Sequence, residues 1–219
     1  MTKTLAIIHT TPATIEPLKA LANEILPGYD VINFVDDSIL PQLARNKGNV
    51  GEVEERLVQY ARIASSTGAD AILEACSSVG EVVAKMGEAV QIPVVRIDDA
   101  MAEMAVARGT RIGVAATLAT TLNPTMRLLQ EKAAAAGKLI ELKTALAESA
   151  YRKLMAGDRD GHDADLAATL LELVQDVDIV VLAQASMARV LPNLPADVQG
   201  KFLSSPRLGM ERVRTVLEK

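Results

Sequence analysis

Cys76 is the one cysteine of this chain and its most reactive side chain by type. It stands in Leu73-Glu74-Ala75-Cys76-Ser77-Ser78-Val79-Gly80-Glu81, which reads as a strand turning into a helix, with Ser78 and Glu81 at the S-x-x-E capping spacing. Helix N–H groups and the helix dipole favour a thiolate, so a thiol at this position is expected to ionise below its ordinary value of about 8.5. A thiolate can take a proton from carbon or attack an electrophile, and a thiol can return a proton to a carbanion. The same residue also fits a buried, inert cysteine filling a core. A single cysteine allows no internal disulfide, and with His9 and His162 as the only histidines the usual ligands of a zinc site are in short supply. Asp158-Arg159-Asp160-Gly161-His162-Asp163 lacks the spacing of a calcium loop and reads as a solvated turn.

The elements that must position this chemistry follow from hydrophobic pattern. Short Val- and Ile-rich runs at Leu5–Ile8, Val31–Phe34, Ala71–Glu74, Val94–Ile97, Arg111–Ala115, Leu139–Leu142 and Ile179–Leu182 alternate with longer stretches of helical period. That alternation predicts strand–helix repeats around parallel sheets. A strand, a Thr-rich turn and a Pro-marked helix start occur at Ile7–Pro17 and again at Ile112–Pro124, which points to two similar halves. In open parallel sheets ligands bind beyond the carboxyl ends of the strands. The residues there are His9-Thr10-Thr11, Asp36-Asp37, Cys76-Ser77-Ser78, Asp98-Asp99, Thr117 to Thr121, and Gln184-Ala185-Ser186. Hydroxyls and helix-start N–H groups suit a small anion such as a carboxylate, although Ser, Thr and Asp in these places also serve simply as helix caps.

Composition narrows the function classes. The 219 residues are 49% hydrophobic but only 2% aromatic, so the core is aliphatic. A net charge of −5 with few aromatic stacking platforms argues against nucleic acid as a partner. No apolar run approaches the roughly 20 residues that span a bilayer, and Met1-Thr2-Lys3 leads into a strand-like run rather than a secretion signal, so a cytoplasmic protein with no membrane partner is expected.

Four passages together resemble the aspartate/glutamate/hydantoin racemase superfamily: Ile7-Ile8-His9-Thr10-Thr11-Pro12-Ala13-Thr14, Glu74-Ala75-Cys76-Ser77-Ser78, Arg111-Ile112-Gly113-Val114-Ala115-Ala116-Thr117-Leu118-Ala119-Thr120, and Asp178-Ile179-Val180-Val181-Leu182-Ala183-Gln184-Ala185-Ser186. The most specific is the third, R-I-G-V-x-A-T-x-x-T. The resemblance implies two α/β lobes with an active site between them, no metal or other cofactor, and two cysteines flanking a substrate α-carbon. It also takes in single-cysteine decarboxylases and a maleate cis–trans isomerase. Cys76 occupies the place of the first cysteine. Thr117 and Thr120 match threonines that hold a substrate carboxylate, and Ser77 and Ser78 follow the cysteine as carboxylate-binding residues do. Gln184 stands where the second cysteine belongs, and an amide neither gives nor takes a proton near neutral pH. Ser186, two positions on, is a poor replacement base. His9 aligns with a polar family position and is a candidate to activate Cys76 or supply a second proton; a histidine that tunes nothing is the alternative.

The expected fold is therefore α/β, two similar lobes with parallel central sheets flanked by helices, the first formed by residues 1–97 and 205–219 and the second by 98–204, with a cleft lined by residues 9–11, 76–78, 117–121 and 184–186. The expected function is a cofactor-independent racemase, epimerase or isomerase acting at the α-carbon of a small carboxylate. Cys76 and His9 are the catalytic candidates, and Thr10, Thr11, Ser77, Ser78, Thr117, Thr120, Thr121, Gln184 and Ser186 the substrate contacts. A single-cysteine decarboxylase or other lyase, and a noncatalytic carboxylate-binding relative, are the alternatives. The expected assembly is a homodimer, since relatives commonly associate and aliphatic helix faces are abundant.

Overall fold

The computed structural model describes residues 2–218; Met1, which opens the Met1-Thr2-Lys3 start, and Lys219, at the other end of the expected first lobe, lie outside the described residues. Its strands and helices run β1 (Thr4–His9), α1 (Ile15–Ile25), β2 (Asp30–Val35), α2 (Ile39–Arg45), α3 (Glu54–Ser66), β3 (Ala71–Glu74), α4 (Val83–Glu88), β4 (Val94–Arg96), α5 (Asp99–Arg108), β5 (Arg111–Ala116), α6 (Ala119–Ala135), β6 (Glu141–Leu146), α7 (Glu148–Met155), α8 (Arg159–Leu173), β7 (Ile179–Leu182), α9 (Ala196–Gln199), β8 (Phe202–Ser204) and α10 (Ser205–Leu217). They form two compact units, one of residues 1–99 and 206–219 and one of residues 100–205. No helix among the described residues is long and apolar enough to cross a membrane.

Each unit holds one four-stranded parallel sheet. The orders are β2-β1-β3-β4 in the first and β6-β5-β7-β8 in the second, so the two units repeat one topology. The inner strands β1, β3, β5 and β7 are covered on both faces and read as nearly unbroken apolar runs. In the first unit Ala6, Ile8 and Ile72 pack against α3 and α4, while Leu5, Ile7, Ala71 and Leu73 pack against α1 and α10. The period of two along each strand thus sends alternate residues into two separate aliphatic layers.

Two strand expectations need correction. The run placed at Leu139–Leu142 begins later, at Glu141, and Leu139 is 94% exposed. β6 is an edge strand with a mostly exposed face, so its apolar signal is diluted. β8 was not anticipated at all. It has three residues and pairs with β7, and Phe202 and Leu203 are buried. So short a run carries too little period to be recognised. Asp158, expected in a solvated turn, instead caps α8, accepting from the Gly161 N–H at 2.8 Å.

The tail closes the first unit through α10, whose Met210 and Val213 are fully buried beside Ile97. Gly209 permits that approach: a Cβ there would stand 2.5 Å from the Ile97 carbonyl oxygen. Gly209→Ala is accordingly expected to destabilise the fold by about 1–3 kcal/mol through overpacking against backbone. Denaturant unfolding measures this, and an unchanged midpoint would mean that α10 does not dock as described.

Candidate active site

The turn after β3 is built on strand register. Ile8 of β1 pairs with Glu74 of β3, and Glu74 with Arg96 of β4. Glu74 and Arg96 therefore stand side by side on the sheet, and Cys76 and Asp98 follow each of them by two residues. Glu74 is fully buried, and its Oε1 accepts the Cys76 N–H at 2.8 Å. Its Oε2 has no hydrogen-bond partner, nor does the buried Ser78 Oγ; these are the two such side-chain atoms among the described residues. An unsatisfied buried polar atom costs about 1–3 kcal/mol. Arg96 grips Asp98 through two hydrogen bonds, Nε to Oδ1 at 2.6 Å and an Nη to Oδ2 at 3.3 Å, with Asp98 fully buried. Asp98 is thus occupied by an ion pair, and α5 starts at the neighbouring Asp99.

These charges set the acidity of the site. Burial, then the charge of Asp98, raises the Glu74 carboxyl well above its ordinary range, against the Cys76 N–H and Arg96. Cys76 is partly exposed and packs on the aliphatic layer beneath it. Burial of the thiol and the neighbouring Glu74 push its pKa up to about 11, with a Thr10 hydrogen bond and the Ser78 N–H favouring the thiolate to a lesser degree. The expectation of an acidified thiol is therefore overturned. Residues 77–82 form a short 3-10 turn in place of a full α-helical terminus, and the Ser78 hydroxyl closes no capping box. Desolvation and a like charge outweigh what that turn supplies.

His9 is fully buried at the end of β1, with Nε2 2.9 Å from Asn33 Oδ1 and Nδ1 2.8 Å from Thr14 Oγ1. Both ring nitrogens are engaged, and burial draws its pKa below 6.5 against the pull of Asn33. Thr10, the residue after β1, and not His9, meets the sulfur. Thr11 caps the 3-10 turn over Pro12–Thr14 through the Ala13 N–H. Ser77 is buried at the start of the Cys76 turn. Asp36, beyond β2, is held by Arg56, Tyr60 and Ser38.

In the second unit Gln184 Oε1 accepts from both the N–H and the hydroxyl of Thr117, at 2.7 and 2.9 Å. Two donors fix the amide with its oxygen toward Thr117 and its NH2 away from it. Gln184 therefore ties the end of β7 to the end of β5, and the Thr117 hydroxyl proton is engaged within the protein. The Thr121 hydroxyl donates to the Leu118 carbonyl at 2.8 Å. Leu118 precedes α6 and provides no side-chain cap; in the first turn its carbonyl accepts the Thr121 N–H at 3.2 Å. Beside this turn lies a cavity of about 230 Å³ lined by Thr117, Leu118, Ala119, Glu148, Tyr151 and Arg152. Thr120 lies on the first turn of α6, and Ser186 is exposed on the 3-10 segment that follows β7.

The first unit thus brings together residues 9–11 and 76–78, and the second residues 117–121 and 184–186. Glu74, Arg96, Asp98 as an ion-pair partner, and the cavity residues Tyr151 and Arg152 were not anticipated as parts of these sites. One signal for the first group was present: a glutamate closing an otherwise aliphatic buried strand, and an Arg-x-Asp whose spacing puts both side chains on one face.

Comparison with known proteins agrees with this architecture. The Asp/Glu/Hydantoin racemase family matches residues 6–213. A comparison with curated proteins yields no match. Among solved structures the chain is similar to an aspartate racemase homologue from Pyrococcus horikoshii, with TM-score 0.75, 17% identity and 100% of both chains covered. It is similar to a glutamate racemase from Francisella tularensis in complex with D-glutamate, with TM-score 0.76, 17% identity, and 99% of this chain and 81% of that one covered. It is also similar to a variant of arylmalonate decarboxylase in a sulfate-associated form, with TM-score 0.60, 16% identity, and 98% and 93% covered.

The neutral, enclosed His9 generates a pH dependence of stability. Its folded pKa lies below the unfolded value, so the unfolded chain takes up the proton first, and the stability contributed by neutral His9 is lost as pH falls from about 6.5 through the lower folded pKa. His9→Gln is expected to flatten the stability–pH curve in that window, read from unfolding midpoints. Parallel curves for the two proteins would show that His9 does not titrate as described.

Proposed function

We propose that this chain, which belongs to the Asp/Glu/hydantoin racemase family, is a cofactor-independent enzyme that works with one thiol, Cys76, at the α-carbon of a small carboxylate. The observation that carries this reading is that Gln184, at the position where the family resemblance implies a second thiol, is an amide locked onto Thr117. A two-thiol enzyme removes a proton from one face of carbon and returns one to the other. With a single thiol, and that thiol protonated at neutral pH, the supported role for Cys76 is proton donor.

A lyase needs only that. In a decarboxylation the bond from the α-carbon to the leaving carboxyl breaks, its electron pair passes into the enediolate of the remaining carboxylate, and the Cys76 S–H delivers its proton to carbon. The thiolate left behind recovers a proton from water. Similarity to an arylmalonate decarboxylase supports this reading beside the racemases, and substituted malonates join amino acids and hydantoins as the substrates to assay. Isomerisation by the same thiol, acting first as base and then as acid, is the second reading, favoured by the racemases among the similar structures.

Charge developing on the enediolate calls for fixed donors. Within the first unit Ser77 and Ser78, at the Cys76 turn, are the donors assigned to carboxylate oxygens in this reading. Taken by itself, the second unit offers the Gln184 NH2 and the Arg152 guanidinium as groups that suit a carboxylate. Thr10 steadies the thiolate after proton transfer. Bonded on both nitrogens, His9 holds the end of β1 and moves no proton.

Assay of this substrate panel by carbon dioxide release, α-deuterium exchange and optical rotation tests the proposal. Cys76→Ala is expected to abolish turnover and Cys76→Ser to lose at least about a hundredfold, the scale of a positioned general acid. Full activity of Cys76→Ala would remove the thiol from the mechanism. Gln184→Cys restores a thiol at the family's second position and is expected to add inversion to exchange. Exchange with unchanged optical rotation would show that a second thiol at residue 184 does not complete a two-base site.

A further inference from the structure

We propose that Glu74 and Cys76 form a thiol–carboxyl dyad, in which Glu74 is the positioning residue that returns a proton to the sulfur and so replaces, within one turn of chain, the second ionisable group that Gln184 cannot supply. The inference deepens the single-thiol reading above and rests on it.

Three observations carry it. Residues 74 and 76 are two apart where β3 runs out, so their side chains share one face of the chain, and the Cys76 N–H binds Glu74 Oε1 at 2.8 Å. The other carboxyl oxygen, Oε2, is buried with no hydrogen-bond partner, the resting Cys76 sulfur included, so it is not committed to any other group. Arg96 is the one countercharge beside Glu74, and its hydrogen bonds go to Asp98, on which it is bidentate, so it holds Glu74 ionised only in part. Two carboxyls and one guanidinium leave one negative charge unbalanced, and a thiolate beside them would add a second.

The surroundings confine that charge to the pair. From β4 and the residues just after it, Arg96 and Asp98 act on Glu74, with Asp99 at the start of α5 acting on Arg96. The residue after β1 is the non-ionising Thr10, and His9 at the end of β1 is bonded to Thr14 and Asn33. The turn after β3 contributes the Ser78 hydroxyl and an exposed Glu81. Like charges this close do not both ionise readily, so sulfur and carboxyl titrate as one unit in two steps. The resting sulfur makes no hydrogen bond to the carboxyl, so after Cys76 protonates carbon its side chain turns toward Glu74, the Glu74 O–H bond breaks and the S–H bond forms. The negative charge moves from sulfur to Glu74, which then takes a proton from water.

Cys76 is the chain's one thiol, so alkylation by iodoacetamide reads it alone and needs no substrate. Glu74→Gln keeps the shape of the side chain and removes its charge. Its alkylation–pH profile is expected to move to lower pH by a unit or more, giving about tenfold or greater faster alkylation at mildly alkaline pH than wild type. Superimposable profiles would overturn the dyad, whatever the enzyme's substrate proves to be. Infrared difference spectra of the wild-type protein keep the test independent of whether the variant folds. A protonated-carboxyl band is expected to persist above the pH at which an ordinary glutamate has ionised, and to shift when Cys76 is alkylated. Absence of that band, or a band indifferent to alkylation, would equally overturn the proposal.

Discussion

The register of three neighbouring parallel strands is the constraint from which the site follows. Ile8, Glu74 and Arg96 lie in one row across the sheet, so one face of the next row receives Thr10, Cys76 and Asp98. A slip of one residue would turn Glu74 and Cys76 into the layer formed by Leu73, Ala75 and Ile97. The same register packs Ile8 and Ile72 against α3, which fixes it through burial of aliphatic side chains rather than through the polar groups it aligns. Chemistry at the strand ends thus depends on a hydrophobic decision made along the strand bodies.

That decision also explains the character of the thiol. The usual argument for a reactive cysteine invokes a helix terminus and its dipole. Here the chain after Cys76 makes six residues of 3-10 helix, and the interior delivers a carboxyl to the sulfur's side. Burial and like charge both hold the proton on sulfur, which is the state a proton donor requires and a general base does not. In the second unit the corresponding strand end has gone the other way. Gln184 has no proton to exchange, and its carbonyl gathers both donors of Thr117, bracing one strand end against another.

Much of this was legible in the sequence. The two-sided burial of β1, β3, β5 and β7 writes itself as unbroken apolar runs, and Ala71–Glu74 and Ile179–Leu182 coincide with the strands they predict. Cys76, Thr117 and Gln184 were found because residues beyond strand ends in parallel sheets face ligands. Edge strands were less legible: β6 is half exposed, and β8 owes its conformation to a neighbour, β7, some twenty residues earlier in the chain. The acidity of Cys76 was misjudged for a related reason. Local spacing reveals a capping pattern, but the desolvation of Glu74 and the pairing of Arg96 with Asp98 arise only when β3 and β4 lie side by side.

The central claim is that one thiol serves the reacting carbon. The stereochemical course in deuterium oxide tests it most directly, with a prochiral substituted malonate as substrate and the configuration and isotope content of the product read by chiral chromatography and mass spectrometry. A single donor predicts one deuterium delivered to one face, giving a product of one configuration. A racemic product labelled on both faces would contradict the account and require a second acid on the opposite side of carbon.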